Sequence, residues 1–531
     1  MRWLSDRGCP GRANPAIRTK RRRVSVRALE RKRSSKALIL ALLCVFLPLM
    51  AQAEDRVLRV AVDALPRFLG HPFGSTARPT IFTTSALYDG LIKFDDQGNI
   101  LPWLAVSWEN VDRNTWRFTL RKDVMFSNGR PLTTESIATA VQWLTSPESA
   151  LDGVRGEIPF LKSVRIIDEL NAEVITTIPV PIMPRFAGSL VMAEPEAFAA
   201  LGRQGYAENP VGTGPFKVDD WRSNRIVMSA FRESWRAPKF DKLELYALPS
   251  ISGRVQALLS GQVDVALTLG PDERVSVEAG GAVLLSWIDP SVTAVSFVTT
   301  TDSPLQNVRV RQALNYAVNK DAIINNLFDG QTIPATQGVS HQAYGFNSDL
   351  APYPFDPDKA KAMLEEEGYG DGFTFELITQ IGMGSQSLAF QQVAVDLARV
   401  GVTMEIRQLP ASAYLDAVLR DADHGGANAH ATIWPAWPIF DALRPLLMHS
   451  CRRQPPWHCD KVIQPKIEEA LVEWDQERGL ALRHELMAYT RETAPAIFLY
   501  ESPEFVGLSK RVSGYHQLHG HIAYHQIELA D

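Results

Sequence analysis

The spacing of hydrophobic and polar residues along this chain switches repeatedly between a period of two and a helical period. Residues 116–133 show the switch most plainly. Trp116, Phe118 and Leu120 alternate with Arg117, Thr119 and Arg121, which predicts a strand with one buried and one wet face. Ser127, Asn128 and Gly129 supply turn residues that tolerate positive φ. Thr133 then reads as a helix N-cap, Glu135 suits the positive first turn, and Ile137, Ala140, Val141 and Leu144 recur on one helical face.

The same switching predicts elements throughout the chain. Val57–Val62 is an apolar strand that would open an α/β lobe. Leu87–Ile92 follows a predicted helix and leads into a hairpin-like turn at Phe94–Gly98. Arg254–Leu259 reads as a helix end, Gly261 as its left-handed stop, and Val263–Ala266 as the strand leaving it. Val310, Ala313, Leu314 and Ala317 share one side of a helix within Val308–Val318. Lys359–Glu367 is a further helix, ended by Gly368 and followed by the alternating strand Phe373–Leu377; Gln391–Val400, Gly401 and Val402–Ile406 repeat that scheme. Helix-then-strand units in series imply α/β lobes. The segment Asn209–Phe216, with prolines at 210 and 215 and glycines at 212 and 214, interrupts the pattern, and a bend between lobes is one reading. Low-complexity stretches and short repeats are absent from the sequence, which sets aside solenoids and long disordered linkers.

At 531 residues the chain exceeds one ordinary domain, so two or three lobes are expected. Residues 1–53 differ from the rest: thirteen Arg or Lys against Asp6 and Glu30, then the apolar run Ala37–Met50, then Ala51-Gln52-Ala53. That order describes a secretory signal peptide with a long basic leader and Glu54 as the first mature residue. The apolar run is short for a membrane span, although an uncleaved anchor is the alternative. Cys44 has no small residues before it, which argues against a lipoprotein anchor. Removing the segment takes thirteen basic residues but only two acids, so the formal charge moves from −5 to about −16 and argues against nucleic acid as a partner.

Of the four cysteines, only Cys451 and Cys459 remain in the mature chain. In an oxidising compartment they suggest a disulfide closing a small loop, and a Cys/His metal site with His449 and His458 is the other reading. His516, His519, His521 and His525 cluster near the C-terminus; they are expected away from the ligand cleft, as a solvated or locally hydrogen-bonded tail or as a metal site. Catalysis finds little support. The sequence has no G-x-S-x-G, no H-E-x-x-H and no Gly-rich phosphate loop, and Gly382-Met383-Gly384 lacks the third glycine and the helix context.

As a literal string, residues 116–133 closely resemble the signature of extracellular solute-binding protein family 5, the dipeptide, oligopeptide and nickel receptors of ABC importers. Tyr88–Leu91, Leu101–Ala105, Gly212–Phe216, Val310–Leu314 and Asp356–Ala360 also resemble family segments, in the family's order. The resemblance spans residues 57–500 and implies a periplasmic binding protein of type II-like α/β fold, with two ligand-enclosing lobes plus an extra lobe. The expected division is 54–84, 195–298 and 494–531 for the first lobe, 85–194 for the extra lobe carrying the signature, and 299–493 for the distal lobe. The implied role is a monomeric periplasmic receptor, without cofactor or catalysis, that passes a peptide or peptide-like solute to an inner-membrane permease; a metal or metal-chelate receptor is the alternative.

For the ligand site, the resemblance points to Ala431–Asp441. Trp434 resembles the family's cleft tryptophan and Asp441 a later acidic position, while Trp437 adds a second rigid aromatic surface. The stretch between Trp434 and Asp441 is apolar where dipeptide receptors carry an acid. The competing reading buries both tryptophans in the lobe core and makes Asp441 a helix N-cap. Phe68, His71 and Thr84 are further candidates, because the family's corresponding region reaches the cleft; a loop that only packs between lobes is the other reading.

Overall fold

A computed structural model of the protein describes residues 55–381 and 385–530. The expected signal peptide, its Glu54 boundary, Cys44 and Gly382-Met383-Gly384 lie outside the described residues.

Two long strands, Val283–Phe297 and Ala496–Leu508, organise the fold. They pair antiparallel from Val283 opposite Leu508 to Ser296 opposite Ala496, with a register shift between Ile288 and Val292. Beyond that shift the outer partners change. On one side of the pair lie Val265–Ala266, Val57–Val62, Lys242–Ala247, Arg225–Ala230 and Phe216–Trp221. On the other lie Ala429–Pro435, Phe373–Gln380 and Val402–Leu409. One ten-stranded sheet therefore runs through two halves that share only this central pair. Residues 289–297 of the first long strand are all buried, as expected for a strand covered on both faces.

The expected elements form, with boundaries moved by a few residues. Val57–Val62 is a strand, and helices cover Thr80–Leu87, Ile251–Leu259, Val308–Ala317, Pro357–Glu366 and Ser385–Ala398. Thr115–Leu120 belongs to a separate antiparallel sheet, ordered Ala105–Asp112, Thr115–Leu120, Asn171–Thr176, Leu161–Ile166. Phe118 and Leu120 are buried there, and the helix Glu135–Thr145 buries Ile137, Ala140, Val141 and Leu144. The expected cap moves by one residue: the helix starts at Glu135, and Thr134 flanks it without capping it. Thr134 donates its hydroxyl to Asp168 O and its N–H to Glu169 O, so its side chain is already engaged by the neighbouring turn.

The break at residues 209–216 is a close backbone approach. A Cβ on Gly212 would stand 1.9 Å from Leu87 O, and one on Gly214 would stand 2.4 Å from Ala86 O. Only glycine lets this segment dock against the end of the helix Thr80–Leu87, where Gly214 N donates to Leu87 O. Cys451 and Cys459 are bonded to each other, which replaces the Cys/His metal reading. The two histidines of that reading are engaged elsewhere: His449 stacks on Trp434 at 4.2 Å between ring centroids, and His458 Nδ1 lies 2.9 Å from Thr299 Oγ1. Among the described residues no helix is long and apolar enough to cross a membrane.

Candidate functional site

Six stretches of chain, 72–103, 154, 188–191, 236, 437–440 and 516–525, line a cavity of about 150 Å³. The loop after the first strand supplies Pro72, Ser75 and Thr76, and the following helix supplies Ile81, Thr84 and Ser85. That helix is buried on almost every face, because seven of its eight residues are packed, so it is held rigidly. The hairpin Ile92–Phe94 and Ile100–Pro102 brings Lys93 and Phe94, with Trp103 just beyond it. Gly188 and Ser189 come from the 187–191 turn and Arg236 from the segment after Arg225–Ala230. Trp437, Pro438 and Phe440 close one side, and the C-terminal stretch closes another with His516, His519, His521 and His525.

The four histidines, expected away from the ligand cleft, thus line this cavity. Gln517–Leu518 and His521–Ile522 pair as a small hairpin that sits against the helix Thr80–Leu87, which carries the chain end into the cavity wall. Its two-residue turn is His519-Gly520, with φ of 45° and 79°. Both central positions of such a turn require positive φ, which glycine adopts freely and histidine only at a cost. Tertiary contacts hold His519 there. Its ring stacks on Trp437 at 3.6 Å, and Nδ1 lies 3.1 Å from Asp289 Oδ2, in the irregular part of the first long strand. Arg78 also reaches Asp289, at 3.0 Å, and bonds Glu504 on the second long strand. Burial, opposed by Asp289, lowers the His519 pKa to about 3, so the ring is neutral. The acceptor-only carboxylate of Asp289 selects the Nδ1–H tautomer and leaves Nε2 as a bare lone pair.

The cavity wall has a marked charge imbalance. Its one carboxylate, Asp89, is fully engaged: it accepts Trp103 Nε1 at 2.7 Å, Thr213 Oγ1 at 2.8 Å and Trp235 Nε1 at 3.2 Å, and it pairs with Arg236 Nε at 2.7 Å. Arg236 in turn donates to Ser85 O and Tyr88 O. Lys93 has no such partner among the described residues. Its Nζ lies 5.0 Å from the Trp103 ring centroid, and burial together with Arg236 lowers its pKa. Burial, Arg236 and Lys93 push the His525 pKa down to about 4. Four buried polar atoms of the lining residues lack any partner: Ser189 Oγ, Trp437 Nε1, His519 Nε2 and His525 Nδ1.

Among the sequence candidates, Thr84 and Trp437 line this cavity and the others do not. Trp434 is 2% exposed, donates Nε1 to Ser296 Oγ at 2.9 Å and packs edge-on to Phe498. Asp441 is fully buried against Arg483, with both carboxylate oxygens 3.0–3.1 Å from Nε, and accepts Leu443 N–H at the start of a helix. His71 Nε2 lies 2.8 Å from Asp152 Oδ2. Against the upward push of burial, bonds from His71 and Arg203 hold that carboxyl down to about 2. Phe68 packs beside Arg203, 5.5 Å from guanidinium carbon to ring centroid. Arg185, which the sequence did not single out, reaches across from the segment before the 187–191 turn and donates to Gly98 O, Ile439 O and Phe440 O. It fixes the loop that presents Trp437, and Phe440 there has a φ of 50°.

A family profile described as bacterial extracellular solute-binding proteins, family 5, middle, matches residues 99–446. The chain belongs to that family. This family 5 protein is 26% identical to the dipeptide-binding protein of Escherichia coli K12 over 484 aligned residues, which take in 82% of this chain and 89% of that one. The nickel-binding periplasmic protein of the same organism is 30% identical over 308 residues, 54% of this chain and 57% of that protein. In structure, the Helicobacter pylori periplasmic binding protein DppA in complex with the peptide STSA superposes with a TM-score of 0.76, covering 90% of this chain and 98% of that one at 21% identity. The fold of this family 5 protein is accordingly that of a type II periplasmic binding protein. Among the described residues no three His, Cys, Asp or Glu side chains are arranged to hold a metal ion.

Proposed function

We propose that this family 5 protein is the periplasmic, monomeric solute-binding component of an ABC importer, capturing a compact peptide or peptide-like solute and delivering it to an inner-membrane permease. The observation that carries the reading is the cavity where the segments 72–103, 437–440 and 516–525 meet beside the central strand pair. A space of about 150 Å³ accommodates a benzene-sized group, which favours a small solute or a short peptide end over a long peptide. A signal peptide ending at Ala53 suits export to such a compartment.

The mechanism is a population shift. The two halves of the sheet are joined by only two strands, whose pairing changes register between Ile288 and Val292, so relative rotation of the halves is confined to that region. A solute that touches Thr84 and the C-terminal histidines on one side and Trp437 on the other binds the closed form more tightly than the open one. Only that difference in affinity shifts the balance toward the outline a permease would recognise. A micromolar affinity, about −8 kcal/mol, allows both capture and release. No catalytic step is required.

The test is mass spectrometry of solute released from natively purified protein, followed by thermal-shift measurements with the recovered compounds, short peptides and nickel chelates. Stabilisation by peptide-like compounds supports the proposal. Stabilisation by nickel chelates alone would replace it with a metal-chelate receptor.

A further inference from the structure

We infer that the solute enters this cavity as an anion, with a carboxylate set against Lys93 and His525 and an acceptor placed on the Trp437 indole N–H. The inference rests on the receptor reading above and deepens it by naming the chemistry of the ligand.

The first observation is the unpaired cation. Lys93 is half-buried and forms no ion pair among the described residues: Asp89 is held by four donors, and the exposed Asp96 meets His516 Nε2 at 3.0 Å. A partly desolvated ammonium without a counter-ion gains a charge-assisted bond when an incoming carboxylate meets it. The second observation is independent of charge. Trp437 is 7% exposed and its Nε1–H has no acceptor, although a buried indole N–H normally finds one. A cavity-lining donor without a protein acceptor can be satisfied by a ligand acceptor.

The remaining groups agree. His525 Nδ1 is also unpartnered, and His519 Nε2 offers a lone pair for an amide or ammonium N–H of the same ligand. Nothing in the lining suits a bare ammonium group as the principal anchor, because Asp89 has no capacity left.

The experiment compares matched probes by thermal shift and titration calorimetry on the mature protein: Ala-Ala and N-acetylalanine, which carry a carboxylate, against Ala-Ala amide and alaninamide, which do not, with nickel–histidine as a third arm. The expected result is that the acids raise Tm and the amides do not. Lys93→Met should weaken acid binding at least tenfold, and Lys93→Arg should retain most of it. The wild-type acid and amide comparison carries the test even where a variant folds poorly. Stabilisation by the amides but not the acids, or an acid affinity unchanged in Lys93→Met, overturns the inference while leaving a receptor. If neither acids, amides nor nickel–histidine bind, both the inference and the receptor reading of this cavity fall.

Discussion

Replacing Asp441 by alanine should destabilise the protein in the absence of any ligand. Asp441 is 0% exposed and its partner Arg483 2%, with both carboxylate oxygens within 3.1 Å of Nε. Arg483 Nη1 is held by Gly479 O at 2.9 Å, so the guanidinium cannot swing out to water. Removing one member of such a pair leaves an uncompensated buried charge, at a cost of about 3–5 kcal/mol. Unfolding entropy of about 2.1 cal/mol/K per residue over roughly 480 residues makes 1 kcal/mol worth about 1 °C, so the expected fall in Tm is about 3–5 °C. Asp441→Leu with Arg483→Met should recover most of it, because the pair is then exchanged for apolar packing. Differential scanning calorimetry of the apo variants, beside titration with whichever solute binds, separates the roles. A ligand anchor would leave the apo Tm unchanged and abolish binding; that outcome refutes the structural assignment of Asp441.

Trp434→Ala should likewise lower apo stability by about 3–5 kcal/mol, since the ring packs on Phe498 and His449; chemical denaturation midpoints check it, and an unchanged midpoint would put Trp434 in the ligand cleft instead. Reducing the Cys451–Cys459 bond should cost about 2–3 kcal/mol by loop entropy, read as a lower Tm in dithiothreitol that the Cys451→Ser, Cys459→Ser double variant does not show further. Acid should destabilise the fold through His430 and His449. Burial lowers His430 to about 3 and His449 well below its ordinary value, so the unfolded chain binds more protons. Their contribution is complete above pH 6.5 and falls as pH drops toward 3, by up to about 1.4 kcal/mol per unit for each ring. A Tm that stays flat from pH 7 to 4.5 in wild type, or falls as steeply in His430→Gln, contradicts this.

Local elements were legible wherever the periodicity was strong. The strand Val57–Val62 and the helix after Asp356 follow from side-chain alternation and capping within one stretch of chain, and the structure moves them by a residue or two. The cap at Thr133 was misplaced because a hydroxyl that can cap can equally serve a neighbouring turn, and Thr134 serves the one at Asp168. The site was less legible. Thr84 and Trp437 were found through family resemblance, whereas Lys93 gave no signal, since one lysine in a hairpin looks like any solvated cation. Its significance comes from Asp89, whose capacity is used up by Trp103, Thr213, Trp235 and Arg236, residues up to 147 positions further along the chain.

By itself the sequence determined the α/β alternation and the family, because each depends on neighbours in the chain or on strings carried in order; it offered a Cys451–Cys459 disulfide beside a metal site, and the structure decided for the bond. Tertiary structure alone decided which polar groups are consumed and which remain free. Trp434 and Asp441 look like ligand residues as letters, yet Ser296 and Arg483 satisfy them within the core. The C-terminal histidines look like a tail, yet a hairpin turned at His519 carries them into the cavity against Trp437 and Asp289. Burial and hydrogen-bond capacity are properties of the closed packing, set by contacts between residues hundreds of positions apart, so no local pattern records them.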